Sequence, residues 1–259
     1  MTESPAPRPP LDPERLPDRV EILGSATSTN AVLAERARAG ADAGLVVVAE
    51  AQEAGRGRLD RSWEVPPYAA LTFSVLIRPD IPPTSWPWLP LMVGYAVHAA
   101  LVDRMPGLGL KWPNDLLVDE ERKVCGILVE RVETPTGPAA VVGIGLNVSQ
   151  THEELPVEAA TSLFLEVEGN PDRSEVLDGI LGSLEALTPL LEDIPALQTA
   201  YSSECVTLGR RVRVEVPSGE PFSGTAMGLD ESGRLVVETE GGLESVGAGD
   251  VVHVRRTDL

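Results

Sequence analysis

Short apolar runs organise the first half of the chain. Residues 20–23, 45–48 and 70–77 are rich in Val, Ile, Leu and Phe and are bounded by polar or glycine-containing stretches. Runs of that length and composition predict buried strands. Between the first two, Thr27, Ser28, Thr29 and Asn30 gather capping side chains ahead of a helix-favouring stretch, 31–39. Gly40 follows where a left-handed C-terminal residue belongs. A proline-rich connection, 79–90, leads to a helix over about 91–104, whose Met92, Tyr95, Ala96, Ala99 and Leu101 read as core. Strand residues then flank Trp112-Pro113-Asn114-Asp115. That tetrad cannot be regular structure, because Pro lacks a donor and holds Trp112 extended. After a turn at 119–122, the stretches 123–130 and 139–148 complete a set of short strands joined by tight turns, which predicts a largely antiparallel sheet.

The second half has a different rhythm. Residues 149–171 show no period. Val176, Leu177, Ile180, Leu181, Leu184, Leu187 and Leu191 then recur at helical spacing behind Ser174, read as a cap. Another helix begins near Pro195. From Arg210 the chain turns to strands at 212–216, 222–227, 235–238 and 251–254, separated by turns at Ser218-Gly219, 230–233 and Gly241-Gly242. About 50 residues of that kind predict a small β-barrel. The expected division is a flexible, proline-rich tail over 1–19, one domain over 20–207 and a smaller one over 208–259.

Composition narrows the classes. The chain has 259 residues and a formal net charge of −19, with a pI near 4.5. Such an acidic chain is a poor general binder of nucleic acid, whose recognition rests on many Lys and Arg contacts. Two distant cysteines, Cys125 and Cys205, make no disulfide framework and indicate a reducing cytoplasm; His98, His152 and His253 are scattered, with no zinc spacing. No stretch reads as a signal peptide or is long enough to span a membrane.

Against that acidic background, residues 51–63 stand out, with Gly55-Arg56-Gly57-Arg58, then Arg61 and Trp63. Alternating glycines let the backbone turn tightly and approach a ligand, and arginine offers a planar fork for carboxylate or phosphate. A solvated hairpin would look similar, but a cationic loop in an anionic chain favours an anion site. Likewise Ser28 and Thr29 serve as N-caps or face a polar ligand from a helix N-terminus.

Three further segments fall in order after this loop: Lys111-Trp112-Pro113-Asn114-Asp115, then Lys123-Val124-Cys125-Gly126-Ile127-Leu128-Val129-Glu130, then Gly143-Ile144-Gly145-Leu146-Asn147. With Ser28-Thr29-Asn30 ahead of them, the set resembles biotin–protein ligase, also called biotin–[acetyl-CoA-carboxylase] ligase, over about residues 20–256. The resemblance implies an α+β fold: a class II aminoacyl-tRNA synthetase-like catalytic domain with a mixed, largely antiparallel sheet, plus a C-terminal SH3-like β-barrel. It implies that biotin and Mg-ATP give biotinyl-5′-AMP and pyrophosphate. The biotinyl group then passes to a lysine of the biotin carboxyl carrier domain of an acyl-CoA carboxylase.

The implied biotin pocket holds Ser28, Thr29, Asn30, Gln52, Gly55, Arg56, Arg58, Lys123 and Gly126. The implied nucleotide contacts are Arg56, Arg58, Arg61, Trp63 as a cover, Asn114, Lys123 and Asn147. Lys123, Arg58 and Asp115 are the catalytic candidates, with Asp115 also near Mg²⁺; a turn-forming role for Asp115 and a structural one for Glu130 stay open. Asp60 stands where the family's loop commonly has a second-repeat glycine. About 19 residues precede the first strand, too few for the N-terminal DNA-binding domain of repressor-type members, so a monofunctional form that binds neither DNA nor membrane is expected. The alternatives are a lipoate or octanoate ligase or transferase of the same fold, and a non-catalytic biotin or nucleotide binding module.

Overall fold

The computed structural model describes residues 8–59, 61–216, 220–247 and 250–253. A seven-stranded sheet comprises β1 (Val20–Leu23), β2 (Val46–Ala49), β3 (Ala70–Ile77), β4 (Leu108–Lys111), β5 (Asp115–Val118), β6 (Arg122–Thr134) and β7 (Gly137–Asn147), in the order β1-β2-β3-β7-β6-β5-β4. Helix α1 (Thr29–Arg38) connects the parallel pair β1 and β2. The other neighbours are antiparallel, joined in part by the tight turns legible in the sequence.

Strand alternation gives this sheet two unlike faces. Phe73, Ile127, Ile144 and Leu146 point to one, where α2 (Trp88–Leu101) and α4 (Arg173–Leu187) complete the main core. On the other, α1 lays Leu33 and Ala37 against Val47, Leu76 and Val141. Beyond α1 that face continues as a row of Thr72, Gly145, Gly126 and Asp115, beside a row of Ser74, Gly143 and Leu128. Small side chains there leave a basin in place of a core.

Several elements differ from the sequence pattern. Helix α2 begins at Trp88 rather than 91, since Pro90 sits in the first turn, where its missing N–H needs no partner. The cap of α4 is Asp172, whose carboxylate accepts from the backbone N–H groups of Ser174 and Glu175. The aperiodic 149–171 region contains one helical turn, α3 (Leu163–Glu166). Residues 8–16 do not trail away as a flexible tail. Leu11 is buried, its N–H donates to Glu50 Oε1 (2.7 Å), and Arg173 bonds both Glu50 Oε2 (2.6 Å) and the carbonyl of Pro9 (2.7 Å). That buried ion pair, Arg173 with Glu50, straps the segment down; residues 1–7 lie outside the described part.

After α5 (Ile194–Glu204) comes a five-stranded antiparallel sheet: β8 (Arg211–Glu215), β9 (Phe222–Leu229), β10 (Leu235–Thr239), β11 (Gly242–Val246) and β12 (Asp250–His253), in the order β11-β10-β9-β8-β12. The alternation misses β11, because Leu243 faces solvent on this edge strand beside Glu244 and Ser245. The expected turn at Ser218-Gly219 and the strand end at Val254 lie outside the described residues. The β9–β10 turn docks on the larger sheet's layer: Trp88 Nε1 donates to Glu231 O (2.9 Å) and Trp112 Nε1 to Gly233 O (3.0 Å). Gly233 has φ +74°, and a Cβ there would stand 3.2 Å from the Trp88 ring.

Candidate functional site

The Gly-Arg segment closes as a hairpin over the basin. Trp63 N–H donates to Gly55 O (2.9 Å) and Gly57 N–H to Arg61 O (2.7 Å). A Cβ on Gly55 would stand 2.2 Å from Trp63 O, so only glycine lets the two arms meet. Asp60, the departure from the family's loop, lies outside the described residues. The hairpin carries the Trp63 indole onto β7, where a Cβ on Gly145 would be 2.5 Å from the ring. The indole Nε1 is buried there without a hydrogen-bond partner.

Lys123 reaches the same face through a β-bulge. Leu116 pairs with Cys125 but Leu117 with Lys123, so β6 holds one extra residue against β5. The bulge shifts the alternation, placing Lys123 on the face of Gly126. The ammonium would lie 3.0 Å from a Cβ on Gly126, and Asp115 Oδ1 is 2.7 Å from Nζ. This is a charge pair rather than an aligned hydrogen bond: Asp115 Oδ1 is buried and makes none. The lysine backbone is fixed from the other side, its N–H donating to Ala159 O (2.8 Å) and its carbonyl accepting from Thr161 N–H (2.9 Å).

One small cavity of about 60 Å³ brings together most of the expected residues: Ser28, Thr29, Asn30, Gln52, Arg56, Arg58, Trp63, Asn114, Lys123 and Gly126. Ser28 is the N-cap residue of α1 but makes no side-chain capping bond; Thr29 N–H donates instead to Gln52 Oε1 (2.8 Å). Arg58 donates to Asn114 Oδ1 (2.8 Å), tying the hairpin to the Trp-Pro-Asn-Asp turn, and Asn114 Nδ2 donates to Ile127 O (2.9 Å). Gly55 lines a neighbouring cavity of about 710 Å³. Arg61, Asp115 and Asn147 line a cleft of about 1390 Å³ between the two sheets, with Lys111, Arg210, Arg211 and His253. The Asn147 amide is held inside the protein, donating to Thr161 O (2.9 Å) and accepting from Gln150 (2.8 Å).

One residue, Ser74, escaped the sequence reading as a site component, and a second, Glu130, had only a structural role left open for it. Ser74 is fully buried, with its hydroxyl 2.6 Å from Asn30 Oδ1 and 2.8 Å from Thr29 Oγ1. Glu130 accepts from Asn30 Nδ2 (2.7 Å) and pairs with Arg56 (3.2 Å). The available signal was parity: Ser74 lies two positions from Thr72 in an otherwise apolar strand.

Residues 23–147, which hold all of these motifs, match the model of the biotin/lipoate A/B protein ligase family. The biotin–[acetyl-CoA-carboxylase] ligase of Mycobacterium tuberculosis is 40% identical over 98% of this chain and 100% of its own length. The chain belongs to the biotin–protein ligase family. Residues 207–254 match the biotin protein ligase C-terminal domain. The bifunctional ligase/repressor BirA of Bacillus subtilis is 32% identical over 87% of this chain and 71% of that protein. Among solved structures, the biotin protein ligase from Aquifex aeolicus in complex with biotin and ATP superposes with a TM-score of 0.77 at 31% identity, covering 92% of this chain and 99% of that one. Among the described residues of this family member, no helix is long and apolar enough to cross a membrane.

Proposed function

We infer that this protein is an ATP-dependent biotin–protein ligase: it converts biotin to biotinyl-5′-AMP, releases pyrophosphate, and transfers the biotinyl group to a lysine of a biotin carboxyl carrier domain. The observation that carries this reading is the convergence of Lys123, Arg56, Arg58 and Gly126 with Ser28, Thr29 and Gln52 in one pocket. In the first step a biotin carboxylate oxygen attacks the α-phosphorus and pyrophosphate leaves. No base is needed, because the carboxylate is already ionised. The obstacle is repulsion between anions, about 1 kcal/mol per unit pair at 4 Å in water and about 4 at an effective dielectric of 20.

Lys123 offsets that repulsion at the reacting atoms, and Arg58 grips the carboxyl and phosphate. Fixed cations in a partly dry site act without reorganisation, which is electrostatic catalysis with positioning. Asp115 holds the Lys123 ammonium beside Gly126, where the absence of a side chain leaves it room. Trp63 covers the ligand, while Arg56 and Asn114 complete the ring. Arg61 and Asn147 lie on the nucleotide side, Asn147 toward the adenine. In the second step the acceptor lysine's amine attacks the acyl carbon and AMP leaves.

Mg²⁺ enters chelated to ATP, as part of the substrate. Among the described residues no three His, Cys, Asp or Glu side chains cluster as a metal site. Our candidate for the one protein carboxylate near an ion held chiefly by the phosphates is Asp115. We divide the chain into a class II synthetase-like domain over 20–207 and an SH3-like barrel over 208–259, with residues 8–19 packed on the first. We place the protein in the cytoplasm, where two free cysteines are at home. DNA binding is not part of this reading, given the net charge of −19.

A cysteine-dependent acyl transferase of the same fold is disfavoured. Cys125 lies in the core, where burial pushes its thiol up to about 12, and burial raises Cys205 as well. The deciding experiment is pyrophosphate release on mixing the protein with Mg-ATP and biotin, with lipoate as control. Release with biotin alone is expected. Release only with lipoate would move the protein to the lipoate branch, and none with either would leave a binding module.

A further inference from the structure

Residues 8–12 precede the segment 23–147 that matches the ligase family, and they are fastened just past the ends of β2 and β7. The inner anchor is the buried pair of Glu50 with Arg173, to which Leu11 N–H is bonded. The outer anchor is Arg8. Its Nε donates to Ser149 Oγ (3.1 Å), its Nη2 to Ser149 O (2.8 Å) and its Nη1 to Glu154 Oε1 (3.0 Å), while Nη2 also meets Glu154 Oε2 (2.5 Å). Every guanidinium nitrogen is used, and only a planar fork could serve both partners at once. Glu154 in turn accepts from Thr151 N–H (3.0 Å), and its bond from Arg8 holds the carboxyl below the usual carboxylate range.

The chain that Arg8 grips leads straight into the wide cleft, where Pro156, Val157, Ala159 and Ala160 form part of the wall. Both ends of this loop are fixed without Arg8. Thr161 N–H donates to Lys123 O (2.9 Å), Thr161 O accepts from Asn147 Nδ2 (2.9 Å), and the Thr161 hydroxyl and Arg122 both bond Glu166. At the near end, Gln150 O accepts from Ser162 Oγ (2.6 Å). Lys123 and Asn147 are therefore placed by bonds in which Arg8 has no part. What Arg8 adds is a grip on the middle of the loop, through Glu154. Ordering a loop costs conformational entropy, and a ligand binds more weakly when its competent loop shape is only partly populated.

We propose that Arg8 is a positioning residue for the nucleotide: through Glu154 it keeps the 151–158 wall of the cleft preformed, so that ATP binds without first ordering it. This rests on the ATP-dependent reading above and gives a role to a segment outside the matched ligase core. Arg8 lines neither the small cavity nor the cleft, so its effect reaches ATP through the loop. That effect falls on the KM for ATP and not on the chemical step, because the Lys123 main chain keeps its own anchors.

The test uses the full chain and two readouts. In the pyrophosphate assay, Arg8→Ala is expected to raise the KM for ATP roughly threefold to tenfold, the order of one lost charged hydrogen-bond pair, with kcat and the KM for biotin unchanged. Glu154→Gln, which keeps an acceptor for Thr151, is expected to act in the same direction. The double variant is expected to be no worse than Arg8→Ala alone, because the two residues work as one latch. A glutamate-specific protease reads the loop without any catalysis. Cleavage after the exposed Glu158 is expected to quicken several-fold in each variant, while cleavage after the exposed Glu244 on β11 keeps its wild-type rate. Unchanged cleavage after Glu158, faster cleavage at both sites, additive losses, or equal rises in the two KM values would each overturn the proposal. So would a looser loop with an unaltered KM for ATP. Where Arg8→Ala fails to fold, Glu154→Gln alone carries both readouts. A wild-type protein that releases no pyrophosphate with biotin and Mg-ATP would instead remove the ligase reading, and the claim on ATP with it, whatever the protease shows.

Discussion

Where the Gly-Arg hairpin meets β7, Trp63 lies on Gly145 and the cavity beside Thr29 and Gln52 has closed to about 60 Å³; across Lys123, the cleft between the two sheets stays open at about 1390 Å³. The closed end is narrow and polar, with the Trp63 indole seated on Gly145 and Ser28, Thr29, Asn30 and Gln52 in its wall. The Trp63 Nε1 there is buried without a hydrogen-bond partner, so moving the indole would break no hydrogen bond. The open end is the reverse. Lys111, Arg210 and Arg211 line a wide trough together with Glu64, Asp115, Glu120 and Glu121, and Arg210 pairs with Glu120. On the function proposed above, the closed end would take one substrate by shape and the open end the other by charge, with Lys123, which lines both, between them.

The largest effect should come from that junction. Lys123→Gln is expected to lower adenylate formation by about 10²–10³, the usual loss for removing a fixed electrostatic donor, while thermal unfolding stays close to wild type. Single-turnover formation of biotinyl-AMP is the measurement. A rate within a few-fold of wild type would mean that the cation between the two ends is not what joins their substrates.

The next two variants separate the ends. A methyl group at Gly145 would stand 2.5 Å from the Trp63 ring, and Gly145 lines the small cavity but not the cleft. Gly145→Ala is therefore expected to raise the KM for biotin by about tenfold or more, the scale of a 1–3 kcal/mol overpacking penalty, and to leave the KM for ATP alone. Arg211→Ala should do the converse and less of it: a few-fold rise in the KM for ATP, shrinking as salt is added, because an exposed charge is screened. Steady-state kinetics at two ionic strengths reads both. Equal shifts in both constants for either variant would erase the distinction between a shaped end and a charged end.

How much of this was legible in the sequence follows the same division. The strands, the α1 cap region and the irregular Trp112-Pro113-Asn114 turn announce themselves through local chemistry: branched apolar runs, clustered cappers, a proline between strands. Asp115, expected to be irregular with them, instead opens β5, paired with Lys111 and Gly126. Most pocket residues were legible because they sit in short motifs. Ser74 was not, since its role depends on which strand lies beside β3, and registers across β3 and β7 are long-range facts. The bulge that brings Lys123 over Gly126 is likewise invisible locally, for a single inserted residue looks like any other strand position. The burial of Leu11 was missed because its anchors, Glu50 and Arg173, are distant in sequence.

The smallest expected effect tests the far wall of the cleft, where a charge is avoided rather than used. Burial, then Lys111, then Arg210 hold the His253 imidazole down to about 4. Its bonding agrees with a neutral ring. Trp112 N–H donates to Thr207 Oγ1 (3.1 Å), and the Thr207 hydroxyl, 3.1 Å from His253 Nε2, is then placed to donate to that nitrogen. A neutral ring accepts this bond; a protonated one would present a second hydrogen. Because the folded pKa lies below the ordinary 6.5, the unfolded chain takes up a proton that the folded protein refuses. The contribution of His253 to stability is therefore present above about pH 6.5, is lost as pH falls from 6.5 to about 4, and stops changing below that. Carboxylates such as Glu154, lowered chiefly by its bond from Arg8, add their own losses at more acidic pH. His253→Gln keeps an acceptor for Thr207 but cannot titrate. Its melting temperature is expected to fall less steeply than that of wild type between pH 6.5 and 4.5, and the two curves should run parallel from pH 7 to 8. Curves parallel across the whole range would show that this wall does not exclude a proton, and that Lys111 and Arg210 act on the cleft without involving His253.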